Sequence, residues 1–325
     1  MGRILDIKNL NTRFLTEYGT VKAVHDVSLA VNQGDTLGIV GESGCGKTVL
    51  ALSVMRLIPT PPGKIVSGHV LYNGVDLLSL REEEMCRIRG REISMIFQEP
   101  MTSLNPVIRV GDQIAEGIIL HQGVSGKEAM NQSVELLRLV GMPSPERNMR
   151  NYPHQMSGGM RQRVMIAMAL CCNPRLMFAD EPTTALDVTI QAQIIDLISR
   201  LKEQVGMSVI LITHDLGVIA DAAQAVAVMY AGEIVEYGSI SDIYSRPLHP
   251  YTAGLLESTP RIKGPSLRDG YLKAIPGTVP DLYHLPAGCS FQDRCSRVMD
   301  ICRKDEPKLE AMPTGRQVRC WNMLG

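Results

Sequence analysis

The sequence predicts an α/β fold around a largely parallel sheet, with a helical insertion and a small irregular C-terminal appendage. Three observations carry this. Up to about residue 240, short apolar runs of strand length alternate with helix-length stretches, as consecutive βαβ units do. Residues 107–172 interrupt that alternation with long amphipathic stretches and few strand signals. Beyond about residue 245 the chain becomes rich in Pro and Gly and loses periodicity. The expected layout is a core from 1–106 and 173–244, a helical subdomain at 107–172 and an extension at 245–325.

Taken in order, TLGIV (36–40) reads as a buried strand ending in a glycine turn, and 47–58 as the helix that follows. Asn73-Gly74 marks a tight turn. Ser79 with Glu82 suggests a capping box for a short helix, and ISMIF (93–97) a second buried strand. Ser125 with Glu128 opens a helix in the insertion, and a helix from about Gly158 stops at Asn173-Pro174. RLMFADEP (175–182), SVILIT (208–213) and AVAVMY (225–230) read as strands, and 189–205 as a helix.

Bulk properties narrow the function. The 325 residues are 45% hydrophobic and 21% charged, with net charge −1, so a large core is available and disorder is excluded. A charge near zero gives no electrostatic case for nucleic acid as a partner. No run reaches the roughly 18–20 apolar residues that span a bilayer. The opening MGRILDIKNL lacks the continuous apolar stretch of a secretory signal. A cytosolic protein that meets a membrane only through a partner is expected.

Gly41-Glu42-Ser43-Gly44-Cys45-Gly46-Lys47-Thr48 fits G-x-x-x-x-G-K-[ST] between a predicted strand and a predicted helix. Glycines let such a loop curl so that backbone N–H groups face phosphate oxygens, and the helix N-terminus adds positive potential. Lys47 would neutralise the β- and γ-phosphates and Thr48 would offer its hydroxyl to Mg²⁺. Asp180 ends an apolar strand, where a carboxylate can hold Mg²⁺, and the adjacent Glu181 can polarise an attacking water. Gln98 and His214 each follow a predicted strand, so their polar groups emerge at the same end of the sheet. This is the sequence pattern of a P-loop NTPase.

Further motifs give the pattern a family. Met156-Ser157-Gly158-Gly159-Met160 followed by RQRVMIAMAL resembles the signature of ATP-binding cassette (ABC) transporter ATPases, normally Leu-Ser-Gly-Gly-Gln, departing from it at Met156 and Met160. Ala185-Leu186-Asp187 resembles the D-loop, Gln98 the Q-loop glutamine and His214 the switch histidine. Tyr18 stands 23 residues before Gly41, where the family places an aromatic on adenine. The resemblance covers residues 1–240 and implies a RecA-like core with an N-terminal antiparallel β part. It also implies ATP hydrolysis, with Glu181 as general base, His214 on the γ-phosphate, and Gln98 coupling Mg²⁺ and water to the insertion. Ser157, Gly158 and Gly159 would serve ATP held on a second cassette in a head-to-tail pair, and Asp187 is the D-loop residue.

QEPMTSLNP (98–106), RPLHPYT (246–252) and the tail's GCSFQDRC resemble the D-type ATPase subunits of dipeptide and oligopeptide importers, with nickel and other small-solute importers as the alternative. The resemblance implies a different, homologous ATPase as partner in a heterodimer, two membrane permease subunits and an extracytoplasmic solute-binding protein. It places the chain at the cytoplasmic face of the inner membrane. The tail cysteines Cys289, Cys295, Cys302 and Cys320 are spaced C-x5-C-x6-C-x17-C, and thiolates suit Zn²⁺ or an iron–sulfur cluster, with free thiols or disulfides as the remaining options. The resemblance implies a [4Fe–4S] cluster that staples a segment with little core. Cys45, Cys86, Cys171 and Cys172 carry no expected chemistry, and Arg87, Arg89 and Arg91 read as a solvated helix face. A soluble ABC ATPase of DNA repair, an exporter ATPase and a non-catalytic regulatory subunit are the rival classes. The first lacks its coiled-coil insertion here, the second its fused membrane helices, and the third would be expected to lack Glu181 or His214.

Overall fold

A computed structural model describes residues 2–99, 103–184, 186–259 and 274–324. In chain order the first elements are β1 (Arg3–Thr16), β2 (Gly19–Asn32), β3 (Thr36–Val40), α1 (Lys47–Val54), β4 (Gly63–Tyr72), β5 (Val75–Asp76), α2 (Glu82–Ile88) and β6 (Ile93–Ile96). The insertion contributes α3 (Val110–Gln122), α4 (Gly126–Leu139), α5 (Pro145–Asn148) and α6 (Gly158–Leu170). Then come β7 (Leu176–Asp180), α7 (Val188–Val205), β8 (Ser208–Thr213), α8 (Leu216–Ala220), β9 (Ala225–Tyr230) and β10 (Glu233–Ser239). Next comes α9 (Ile240–Ser245), and the extension adds α10 (Pro250–Ser258), β11 (Glu310–Ala311) and β12 (Gln317–Val318).

The chain falls into two compact units. The first holds residues 1–2, Asn32–Asp35 and Ser79–Leu211; the second holds Arg3–Val31, Thr36–Leu78 and Ile212–Gly325. In the first unit β6 and β7 pair in parallel, from Ile93 opposite Leu176 to Ile96 opposite Ala179. Both strands are buried throughout, which explains their unbroken apolar sequences. Helix α6 packs on α3, α4, α7 and β6, so it is buried on several sides rather than along one stripe. Ser125 caps α4 as expected, accepting from the Glu128 N–H at 3.3 Å. Helix α2 differs from the sequence expectation. Its N-cap is Arg81, whose N–H donates to the Glu84 carboxylate at 2.9 Å, and Ser79 ends a preceding 3₁₀ turn. The capping box therefore sits on Arg81 and Glu84, two residues beyond the Ser79–Glu82 spacing.

In the second unit β2-β1-β4-β5 form a four-stranded sheet. β1 and β4 run antiparallel, and Asn73-Gly74 makes the two-residue turn into β5, both residues at positive φ. Strand β3 pairs in parallel with β9, which pairs antiparallel with β10, and β12 of the extension adds to β10. Helix α1 stops at Val54, four residues short of the expected end.

The extension was expected to have little regular structure, yet α10 lies within it. Pro250 takes the first helical position, and the His249 ring accepts the Tyr251 N–H at 3.0 Å. The tail also has a core. Tyr230 of β9, Tyr251 of α10 and Phe291 pack with ring centroids 4.6–5.4 Å apart. Glu236 of β10 is fully buried and accepts from the Leu248 and His249 N–H groups and from Arg316 at 2.7–2.9 Å. Such pairings across 12 to 80 positions leave no local periodicity to read.

Burial pushes the His249 pKa down to about 3 from an ordinary 6.5. The folded state therefore prefers neutral imidazole. Its contribution to stability is complete above about pH 6.5 and is lost as pH falls toward 3, at about 1.4 kcal/mol per pH unit. His249→Gln should lose about 2 kcal/mol less stability than the native chain between pH 7 and pH 5. Urea unfolding at both pH values measures this; equal losses would refute it.

Candidate nucleotide-binding and hydrolysis site

The phosphate loop lies in the second unit. Buried strand β3 ends at Val40, residues 41–46 turn, and α1 begins at Lys47. Two of its glycines have no room for a side chain. A Cβ on Gly41 would sit 2.1 Å from the Met229 carbonyl oxygen, and one on Gly46, at φ 102°, 2.2 Å from that of Ala23. Lys47 is buried, and its ammonium donates to the carbonyls of Gly41 (2.8 Å) and Glu42 (2.9 Å), which aims it into the loop. Ser43 and Gly44 are exposed on the rim and Thr48 is half-buried at the helix start. Cys45 is wholly buried, and burial pushes its thiol pKa up, so it fills space as expected. Tyr18 occupies the two-residue turn between β1 and β2 with 84% of its surface exposed, as a stacking platform requires. His214, in the same unit, follows β8 and is exposed.

The carboxylates lie in the first unit. Asp180 ends β7 and is 1% exposed. Glu181 takes φ +44°, a left-handed conformation uncommon for a non-glycine residue and concentrated at functional sites. Its Oε2 accepts from Gln98 Nε2 at 3.1 Å and from the Thr184 hydroxyl at 2.8 Å. Gln98 and Glu181, 83 positions apart, are thus brought together. Ser157 caps α6, its hydroxyl accepting from the Met160 N–H at 3.4 Å. Asp187 caps α7 in the same way, from Ile190 at 3.0 Å. A Cβ on Gly158 would lie 3.2 Å from Leu186 and one on Gly159 3.2 Å from Ile190, so the signature abuts the D-loop. Met156 is buried, which accounts for an apolar residue there. Ala185 lies outside the described residues, as do residues 100–102 of the QEPMTSLNP segment.

Sequence reading missed three contributors. Thr184 orients Glu181 from three residues on. The Tyr251 hydroxyl accepts the N–H of loop residue Glu42 at 3.0 Å. The Arg294 guanidinium grips the Glu42 carboxylate at 2.6 and 3.0 Å. Tyr251 falls in the RPLHPYT segment, a usable signal; Arg294, 252 positions from its partner, had none.

Cys289, Cys295 and Cys320 are half-buried and Cys302 is buried. The Cys289 N–H donates to the Cys302 carbonyl at 2.8 Å. Burial pushes the Cys289 pKa to about 12, with Cys320, Cys302 and Cys295 adding to it, and the Cys320 pKa to about 11, with Cys295 and Cys302 adding to it. Among the described residues, no three of these sulfurs lie within 4.8 Å of one another. Thiolates on one tetrahedral zinc sit about 3.8 Å apart. As placed, the four sulfurs stand farther apart than one zinc would draw them. His25, Glu233 and Glu306 do bring their ligand atoms that close. Arg319 lies among them, 3.2 Å from each carboxylate, which makes the cluster an ion-paired anchor for the tail.

Residues 24–184 match the ABC transporter family, and residues 235–302 the C-terminal region of oligopeptide/dipeptide transporters. A probable peptide ABC transporter ATP-binding protein of Sinorhizobium fredii is 52% identical over 98% of this chain and 94% of its own. The chain belongs to the ATP-binding subunits of ABC transporters. This ABC ATPase is also 49% identical to the oligopeptide transport ATP-binding protein AppD of Bacillus subtilis, over 99% of this chain and 97% of that one. Among solved structures it is similar to the dimeric, post-hydrolysis cassette MJ0796 bound to ADP and Pi, with TM-score 0.66 and 27% identity over 73% of this chain and 98% of that one. It hydrolyses ATP to drive transport. No described helix is long and apolar enough to cross a membrane.

Proposed function

We propose that this ABC ATPase energises uptake of dipeptides and oligopeptides. The observation that carries the reading is the match of residues 235–302 to the oligopeptide/dipeptide C-terminal region, outside the cassette common to all such ATPases. The full-length similarity to peptide-transport ATP-binding proteins supports peptides over nickel or another small solute.

In this reading Gly41, Ser43, Gly44, Cys45 and Gly46 present backbone N–H groups to the phosphates, Lys47 neutralises them, and Tyr18 stacks on adenine. Thr48, Gln98 and Asp180 hold Mg²⁺, which supplies charge neutralisation at the β- and γ-phosphates. Glu181 accepts a proton from the attacking water, its Oε2 fixed by Gln98 and Thr184, and His214 contacts the γ-phosphate. Ser157, Gly158, Gly159 and Asp187 act on ATP bound by a second cassette. ATP joins the pair, and hydrolysis removes the contact that held it.

Residues 1–106 and 173–244 form the RecA-like core with its antiparallel β part, 107–172 the signature subdomain and 245–325 the importer-type extension. The partners are a homologous ATPase in a heterodimer, two permease subunits and a solute-binding protein, with the ATPase peripheral on the cytoplasmic face. Cys289, Cys295, Cys302 and Cys320 hold a [4Fe–4S] cluster as a structural staple.

The complex, purified anaerobically and reconstituted in proteoliposomes, tests the whole. ATP-dependent uptake of a labelled dipeptide or oligopeptide, blocked by Lys47→Ala, is expected, with about four irons and four sulfides per chain. Uptake of nickel but no peptide would overturn the substrate, and absent iron and sulfide would overturn the cluster.

A further inference from the structure

We propose that the C-terminal extension is a working part of the nucleotide site, in which Arg294 and Tyr283 are positioning residues that set ATP affinity. The inference rests on the reading of residues 41–48 and Tyr18 as the ATP site.

Glu42, the second residue of the phosphate loop, is held on every side. Its carboxylate takes a two-pronged grip from Arg294, at 2.6 Å (Nη1) and 3.0 Å (Nη2). Its N–H donates to Tyr251 of α10 at 3.0 Å. Its carbonyl accepts the Lys47 ammonium at 2.9 Å and the Cys45 N–H at 3.3 Å. One residue thus connects the extension to the lysine that meets the phosphates.

Arg294 is itself immobilised. Its side chain is 4% exposed, its Nε donates to the Pro276 carbonyl at 3.0 Å, and its guanidinium lies 5.7 Å and 5.9 Å from the ring centres of Tyr230 and Phe291. A two-pronged pair between a buried arginine and a half-buried carboxylate is among the more directional contacts available to a side chain. It fixes the loop's second residue in place and orientation.

The extension also reaches the adenine side. The Tyr283 hydroxyl lies 3.4 Å from the Thr16 hydroxyl oxygen, to which it can donate, and its ring lies 3.6 Å from where a Gly19 side chain would begin. Thr16 in turn accepts the Tyr18 N–H at 3.3 Å and donates to the Gly19 carbonyl at 3.1 Å. The turn that carries Tyr18 is therefore braced by the same extension that braces the phosphate loop. An arrangement set before ligand arrives lowers the ordering cost of binding, so it acts on affinity rather than on the chemical step.

Titrate the full-length chain with a fluorescent trinitrophenyl-ATP, displaced by Mg·ATP or by Mg·tripolyphosphate, and measure ATPase kinetics in the assembled transporter. Arg294→Met should weaken both ATP and tripolyphosphate about tenfold, raising KM with kcat within about twofold. Arg294→Lys should recover part of the loss, and the double variant Glu42→Met/Arg294→Met should bind no more weakly than the weaker single variant. Tyr283→Ala, at a more exposed position, should weaken ATP and leave tripolyphosphate unchanged. If Arg294→Met and Tyr283→Ala melt at lower temperature but bind Mg·ATP within about twofold of the native chain, the extension is a passive brace and the proposal falls. Should Arg294→Met not fold, Tyr283→Ala decides alone. Native ATP affinity in Lys47→Ala would instead unseat the nucleotide site itself.

Discussion

Glu181→Gln should cut ATP turnover by about 10²–10⁴-fold in the assembled transporter while leaving ATP bound. The structure makes this a clean substitution. Glutamine keeps the length of the side chain, and its carbonyl oxygen can still accept from Gln98 and Thr184, which now hold Oε2 at 3.1 and 2.8 Å. It can also keep the left-handed backbone at φ +44°, because the strain at that residue depends on Cβ and not on the terminal group. What it loses is basicity toward water. Single-turnover kinetics with labelled ATP, alongside retention of nucleotide through gel filtration, separates the two effects. Turnover within tenfold of native in that variant would remove Glu181 from the role of base.

The second large effect is at Gly46. Gly46→Ala should abolish ATP binding and lower the melting temperature. A methyl there would sit 2.2 Å from the Ala23 carbonyl oxygen and 2.9 Å from the Met229 side chain, and the backbone at φ 102° disfavours any L side chain. The left-handed conformation alone costs about 1–3 kcal/mol. The backbone clash cannot be relieved by a rotamer change, so the loop itself must move, and the N–H array moves with it. Differential scanning calorimetry with and without Mg·ATP checks both parts. A variant that melts at the native temperature and shifts upward normally with nucleotide contradicts the packing argument.

What could be read from the sequence follows from what is local. Thr36–Val40, Ser208–Thr213 and Ala225–Tyr230 appear as strands at the expected bounds because each is a short, largely apolar run whose signal needs no neighbour. The phosphate loop was legible for the same reason, since eight consecutive residues do one job. The meeting of Gln98 and Glu181 was legible only by resemblance, because 83 positions separate them. Helix α10 was missed because it is only nine residues long and lies in a Pro- and Gly-rich stretch, although Pro250 at its first position and the stripe of Tyr251, Thr252, Leu255 and Leu256 do mark it. The grip of Arg294 on Glu42 was invisible. An arginine before a cysteine and a glutamate in a glycine loop are each unremarkable, and only folding makes them a pair.

At Gly158 and Gly159, the start of α6 is pressed so closely on Leu186 and Ile190 that neither residue has space for a methyl without displacing its neighbour. The signature serine-glycine turn and the start of α7 with the residues before it are therefore packed against each other. A larger side chain at either glycine would push on α7 and its approach as well as crowd the surface offered to the partner's nucleotide.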